Sequence, residues 1–321
     1  MRQRVLVTGA TGFVGSRVVE HLLRNPEIEV LGGLRLIGKA LPAGAQAFLT
    51  GELDGRHELP SLDGIHAVIH CAARVHIMND VAQEPLAEFR QINVKGTLDL
   101  ARRAVEAGAQ RFVFISSIKV NGEGTDDRQP YSADEEPSPA DPYGISKLEA
   151  EQALLALAAE TGMQVVIIRP VLVYGPGVKA NFQSMMKCLH KKLPLPLGAI
   201  RNRRSMVALD NLVDLIVVCL HHARAANQVF LVSDGEDLAT PDLLKRTAKA
   251  LGTKAFLLPV PAFMLKAAAA ALRRPGVAAR LCGSLQVDIA KTRNLLDWNP
   301  PLSVDKALQL TAHEYLKSLS A

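Results

Sequence analysis

At 321 residues, 48% hydrophobic and 21% charged, the chain is long enough for one large core with a smaller appended lobe. No apolar run reaches the roughly 20 residues that cross a bilayer, and the N-terminus lacks the serial pattern of a secretory signal, so membrane insertion is not expected and the cytoplasm is the expected location. The net charge of +5 is modest; its clusters, "RNRRS" at 201–205 and "RR" at 273–274, lack interleaved aromatics, so nucleic acid is not an expected partner.

The chain opens on "RVLVT" (4–8), a β-branched run suited to a parallel strand buried on both faces. "FVGSRVVEHLLR" (13–24) follows with apolar residues at helical spacing,. Between and just inside them stand Gly9, Gly12 and Gly15. A strand turning sharply into a helix needs residues without a Cβ at the turn, at the approach to a pyrophosphate and where helix meets strand. The helix N-terminus then offers free amide donors and its positive dipole end to phosphates. The spacing is GxxGxxG rather than GxGxxG, and the flanking strand and helix favour a dinucleotide site, with Phe13 and Val14 beside the glycines.

"EIEVLGGLRL" (27–36) reads as the second strand. An acidic residue at its tip would bind the ribose hydroxyls of NAD, whereas an Arg favours the 2′-phosphate of NADP. The tip carries Arg35, which favours NADP(H) and leaves NAD(H) open. Further strand-like runs lie at 45–50, 66–73, 111–116, 164–171 and 228–234, with helical stretches at 84–107, 142–160 and 206–223. Strands alternating with helices imply an α/β fold with a doubly wound parallel sheet, a Rossmann fold. From about residue 176 the chain turns Pro- and Gly-rich. The expected division is a dinucleotide-binding domain over 1–175, to which 206–234 returns, and a smaller substrate-binding lobe from 176–205 and 235–321. The apolar stretch "PAFMLKAAAAALRRP" (261–275) reads as a buried packing helix rather than one lying on a membrane, since it lacks a strongly basic polar face. Four scattered cysteines, Cys71, Cys188, Cys219 and Cys282, suit buried thiols, and no metal site is expected,. The "RNRR" run suits a nucleotide's phosphates as well as a solvated loop.

The chemistry sits in "DPYGISKLEAEQALLAL" (141–157), where Pro142 opens a helix and Tyr143 and Lys147, four apart, share one face,. A phenol of ordinary pKa near 10 is a poor base at neutral pH, and a nearby ammonium and a cationic nicotinamide ring favour its phenolate. Such a group can exchange a proton with a carbinol while hydride moves at the same carbon. Upstream, "FVFISSIKVNGEG" ends a strand at Ser116 and Ser117, where a hydroxyl can hold the reacting oxygen.

With TGATGFVG, "HCAA", "INVKGT", "FISSIKVNG", YGISK, "IIRPVLVYGPG" and "DWNPPLS", the chain resembles the extended short-chain dehydrogenase/reductase family over nearly its whole length. The resemblance implies catalytic Ser117, Tyr143 and Lys147, with Ser117 rather than Ser116 placed three residues before Val120, and Lys147 also on the nicotinamide ribose. It implies cofactor contacts from Thr8, Ala72, Asn93 and Pro170; a local structural role for Asn93 is the alternative. The chain is most similar to the branch acting on nucleotide-activated sugars. By position Asn181 and Arg204, and less directly Arg280, would contact the substrate's diphosphate. A homodimer through two helices per subunit, including 142–160, is implied by the family alone.

The branch shares hydride transfer at C4 of a hexose. A 4,6-dehydratase of the family carries Asp-Glu after the active-site hydroxyl, where this chain has Ile118 and Lys119, so dehydration is not expected. Reduction of a 4-keto sugar nucleotide is favoured through Arg35, with a UDP-hexose 4-epimerase as the alternative. Asn121 and Leu172 depart from common family residues and bear on the sugar pocket. A non-catalytic dinucleotide-binding protein is the remote alternative; such relatives usually lack the tyrosine or the lysine.

Overall fold

In the computed structural model, which describes residues 2–36, 38–75, 84–272 and 275–320, seven parallel strands form one sheet. The chain runs β1 (Gln3–Thr8), α1 (Phe13–Leu22), β2 (Ile28–Leu34), β3 (Gln46–Leu49), β4 (Ala67–His70), α2 (Pro85–Phe89), α3 (Thr97–Glu106), β5 (Arg111–Ile115), α4 (Pro142–Thr161) and β6 (Gln164–Pro170). It continues with β7 (Leu172–Tyr174), α5 (Ala180–His190), β8 (Met206–Ala208), α6 (Leu209–His221), β9 (Gln228–Val232), α7 (Thr240–Ala250), α8 (Ala262–Ala271), α9 (Pro275–Cys282), α10 (Ala290–Leu296) and α11 (Val304–Ser320). The order across the sheet is β3-β2-β1-β4-β5-β6-β9, so the chain winds outward from β1 in both directions, the doubly wound arrangement expected from the alternation of elements.

The strands are apolar on both faces because helices cover both faces. Val5 and Val7 join one core with Val18, Val19, Leu212 and Ile216 of α1 and α6. Leu6, between them, joins the opposite core with Leu100, Leu154 and Ile167, as the two-residue period of a strand requires. A third core gathers β7, β8, α5, α7 and α11 around Tyr174, Phe182, Met206, Leu244 and Leu308.

Several expected elements change in the fold. The helical stretch 84–107 is broken by a π-helical segment, Arg90–Gly96, between α2 and α3. The expected helix 206–223 begins as strand β8, paired in parallel with β7 in a separate two-stranded sheet, and becomes helical at Leu209. The expectation of a buried helix over 261–275 is corrected. α8 ends at Ala271, none of its residues is buried, and Phe263 and Met264 are 72% and 51% exposed. Its five consecutive alanines offer little side chain to bury, and only Ala262 and Leu265 lean on the third core. Arg273 and Arg274, the second basic cluster, lie outside the described residues. Of the cysteines, all free, Cys219 and Cys282 are buried while Cys71 and Cys188 are only partly so.

Candidate active site

The turn after β1 is built by its glycines. Gly9 holds φ +66°, and a Cβ there would stand 2.8 Å from the Ala72 backbone nitrogen. A Cβ on Gly15 would be driven into the Gly9 carbonyl, 2.7 Å from its carbon. These two positions exclude any side chain, the first by conformation as well as space. Helix α1 then starts from Gly12, with no capping side chain and no acidic residue in its first turn. Its free amides and positive end are left for an anion, the fit required of a dinucleotide's pyrophosphate. Phe13 and Val14, partly buried, open the helix beside it.

Tyr143 rides the first turn of α4, whose N-cap Asp141 accepts from the Gly144 amide at 2.6 Å and whose N1 residue is Pro142. Ser117, at the carboxyl end of β5, is near enough that its hydroxyl draws the phenol's pKa down. Burial pushes the phenol up to about 12, against the opposing pull of the Ser117 hydrogen bond. Lys147 is 1% exposed. Its ammonium donates to the Ile115 carbonyl at 2.7 Å and lies 3.9 Å from the centre of the Phe114 ring. Burial lowers its pKa to about 7, with Glu151 and Cys71 pulling the other way. Burial is the largest influence on the phenol, and the Lys147 ammonium is aimed at the Ile115 carbonyl at the end of β5.

Behind these groups lies a buried network that sequence reasoning missed. Ser116 donates to Glu151. Arg169 grips the same carboxylate through Nε at 3.0 Å and Nη2 at 2.6 Å, and its Nη1 donates to Asn121 Oδ1 at 3.0 Å. Asn121 Nδ2 donates in turn to the Ser132 carbonyl. Glu151 is eight residues after Tyr143 and four after Lys147, so the signal was the continued spacing along one helix face. The network occupies Ser116, which leaves Ser117 as the hydroxyl beside Tyr143. Asn121 is buried within this network.

The remaining predicted residues divide. Thr8 is buried, its hydroxyl bonded to His70 Nδ1 at 2.7 Å, so its side chain faces the core. Asn93, on the π-helical segment, clamps Arg74, accepting from its amide at 2.8 Å and donating to its carbonyl and to Ser146. It thereby pins the loop after β4, which carries partly buried Ala72. Pro170 is buried at the end of β6, and Arg35 is exposed just past the end of β2. A cleft of about 770 Å³ brings Asn181 together with Gly12, Phe13, Leu172 and Leu209. Arg204 is not part of that wall: it donates to the Gly283 carbonyl at 3.0 Å, and burial lowers its pKa. Arg280 is exposed on α9, also outside the cleft. Among the described residues one group has the composition of a metal site, Glu52, Asp54 and His57. Asp54 there already accepts from the amides of Arg56 and His57, a local turn.

Residues 5–233 match the family model described as "NAD dependent epimerase/dehydratase family". The chain belongs to that family. The family's extended short-chain dehydrogenase/reductase character makes this protein an enzyme, a sugar-nucleotide 4-epimerase or 4-keto reductase using NAD(P). It is 44% identical to the UDP-glucose 4-epimerase of Vibrio cholerae over 322 residues, covering 99% of this chain and 97% of that one. Among solved structures, a UDP-glucose 4-epimerase from Thermotoga maritima with UDP-glucose superposes with a TM-score of 0.78 at 25% identity, covering 99% of this chain and 100% of that one. A UDP-glucuronic acid 4-epimerase from Bacillus cereus with NAD gives 0.75 at 22% identity, covering 99% and 100%, and speaks for the fold. The Vibrio cholerae relative fits the epimerase alternative better than the 4-keto reductase that Arg35 had suggested. One arginine at a strand tip bears on the cofactor's phosphate and not on how many times hydride is transferred. Among the described residues no helix is long and apolar enough to cross a membrane.

Proposed function

We propose that this protein is an NAD-dependent UDP-hexose 4-epimerase that keeps its nucleotide bound through the cycle. The match to the Vibrio cholerae 4-epimerase over almost the full length of both chains carries this reading. Tyr143 takes the proton of the C4 hydroxyl as hydride leaves C4, and Ser117 holds the oxygen. The 4-keto sugar turns over, hydride returns to the opposite face, and Tyr143 gives the proton back. A nicotinamide bound there would supply the acceptor and donor of that hydride, and its positive charge would offset the burial that holds the phenol up to about 12,.

Gly9, Gly12 and the start of α1 take the pyrophosphate, Lys147 the nicotinamide ribose and Asn181 the substrate diphosphate. Residues 32–36 contain no Asp or Glu and include Arg35, so the site accepts NADP as well as NAD. Tight retention, and not the 2′-phosphate, is what epimerisation requires. The division into a dinucleotide domain and a substrate lobe, and a homodimer paired through α4, belong to the same reading.

The test is to identify the nucleotide that co-purifies with the protein and then to supply UDP-glucose with no added cofactor. Interconversion of UDP-glucose and UDP-galactose without net oxidation of the bound nucleotide is expected. Consumption of one NADPH per 4-keto sugar nucleotide, with no interconversion, would instead make it the reductase.

A further inference from the structure

The charge of this chain is unevenly placed. Segments 176–205 and 243–287 contain 15 of the 37 lysines and arginines and no Asp or Glu, so the rest of the chain carries 22 basic against 32 acidic residues, a net −10. Only a few of those 15 cations are needed to meet a diphosphate. Most stand outside the cleft that holds Asn181.

The same segments carry most of the exposed large apolar residues of the third-core region. Phe263 and Met264 project from α8, a helix with no buried residue. Phe256 and Leu258 are about half exposed on the preceding segment, which hydrogen-bonds along Leu195 and so lies beside exposed Leu193. Cations interleave with them: Lys254 two residues before Phe256, Lys266 on α8 itself, and Lys191 and Lys192 next to Leu193, all exposed. The sequence of α8 alone has a single lysine, so its polar side looks weakly charged; the fold pairs the segment that leads into it, at Phe256 and Leu258, with Leu195, shortly after Lys191 and Lys192.

Large apolar side chains set among lysines, with no acid in either segment, match an interfacial surface that sinks its apolar groups at the headgroup boundary and holds anionic lipid with its cations. Two copies meeting through this face would oppose like charges. We propose that α8 and the adjoining segment 254–260 form a peripheral docking surface for an anionic lipid bilayer. The proposal does not depend on the reaction assigned above.

The full-length protein is to be sedimented with vesicles of equal parts phosphatidylcholine and phosphatidylglycerol, and with vesicles of phosphatidylcholine alone. Binding to the first is expected, weakened by salt, with little binding to the second. The double substitution Phe263→Ser and Met264→Ser should weaken binding by at least about tenfold, as lost entry of a large apolar side chain predicts. Lys254→Glu with Lys266→Glu should abolish the preference for phosphatidylglycerol. Both variants should melt as the parent does and turn over UDP-glucose at the parent's rate, because these side chains touch neither core nor cleft. No binding to phosphatidylglycerol vesicles, or equal binding by the serine variant, would overturn the proposal. So would a change of oligomeric state in the serine variant without vesicle binding by the parent, which would assign the face to a second copy.

Discussion

Tyr143 is held where its proton can matter but where its phenolate is costly, since burial pushes it up to about 12 and the Ser117 hydrogen bond offsets only part of that. Tyr143→Phe removes the proposed acid/base group while leaving the ring and its edge contact with Phe89. It is expected to lower kcat by about a hundredfold to ten-thousandfold, with the bound nucleotide retained; turnover of UDP-glucose and the absorbance of the purified protein check both. In the proposed reading Arg35 meets a different end of the nucleotide, the 2′-phosphate. Arg35→Ala should weaken NADP binding by roughly tenfold or more, the loss of one charge-assisted hydrogen bond, and leave NAD binding unchanged in a titration. Equal weakening of both would remove the 2′-phosphate from its role.

Helix α4 places Tyr143, Lys147 and Glu151 on one face, and each depends on what the sheet brings opposite it. Glu151 is paired with Arg169 in full burial, where the charges are tolerable only together. Glu151→Ala strands the guanidinium and should destabilise the protein by about 3–5 kcal/mol in urea unfolding, whereas Glu151→Leu with Arg169→Met should recover most of that. Lys147 is a base whose pKa burial lowers from 10.5 to about 7. Between those values the unfolded chain binds the extra proton, so stability rises with pH across the window and falls as pH drops toward 7. Lys147→Met, which buries no charge, should therefore be the more stable protein near pH 6, with the gap in Tm narrowing as pH approaches 9. A gap that is flat with pH would mean the ammonium is not strained by its burial.

At the scale of the molecule, the glycine turn, α1 and the cleft with Asn181 meet along one edge of the sheet, so a retained dinucleotide adds its binding energy to the folded state alone. Removing it should lower Tm by several degrees, and restoring it at about a hundredfold excess over Kd should return about 2.7 kcal/mol. Calorimetry of stripped and reloaded protein measures this. If stripped and loaded protein melt alike, the nucleotide is not held as an epimerase would hold it. The third core gives the same scale a second feature, an exposed α8 inside a basic region, which no single stretch of sequence displays.

Local rules made much of this legible. Buried parallel strands need continuous apolar runs, a strand-to-helix turn over an anion needs glycines, and a tyrosine and lynchpin lysine four apart must share a helix face, so the sheet, the nucleotide turn and the Tyr143–Lys147 pair could be read from residue order. Contacts between distant segments could not. Ser116, Asn121, Glu151 and Arg169 meet only because β5, α4 and β6 are neighbours; Arg204 turns to Gly283 because the two chain segments pair there. α8 stays exposed because its alanines give the third core little to grip. The chain's own periodicity therefore determined its fold class and the shared helix face of the proposed Tyr143–Lys147 pair, since those depend on spacing along one element. Which hydroxyl faces the tyrosine, which cations reach the cleft and which apolar helix meets solvent were decided by tertiary packing, because burial and pairing are properties of surfaces that sequence neighbours do not share.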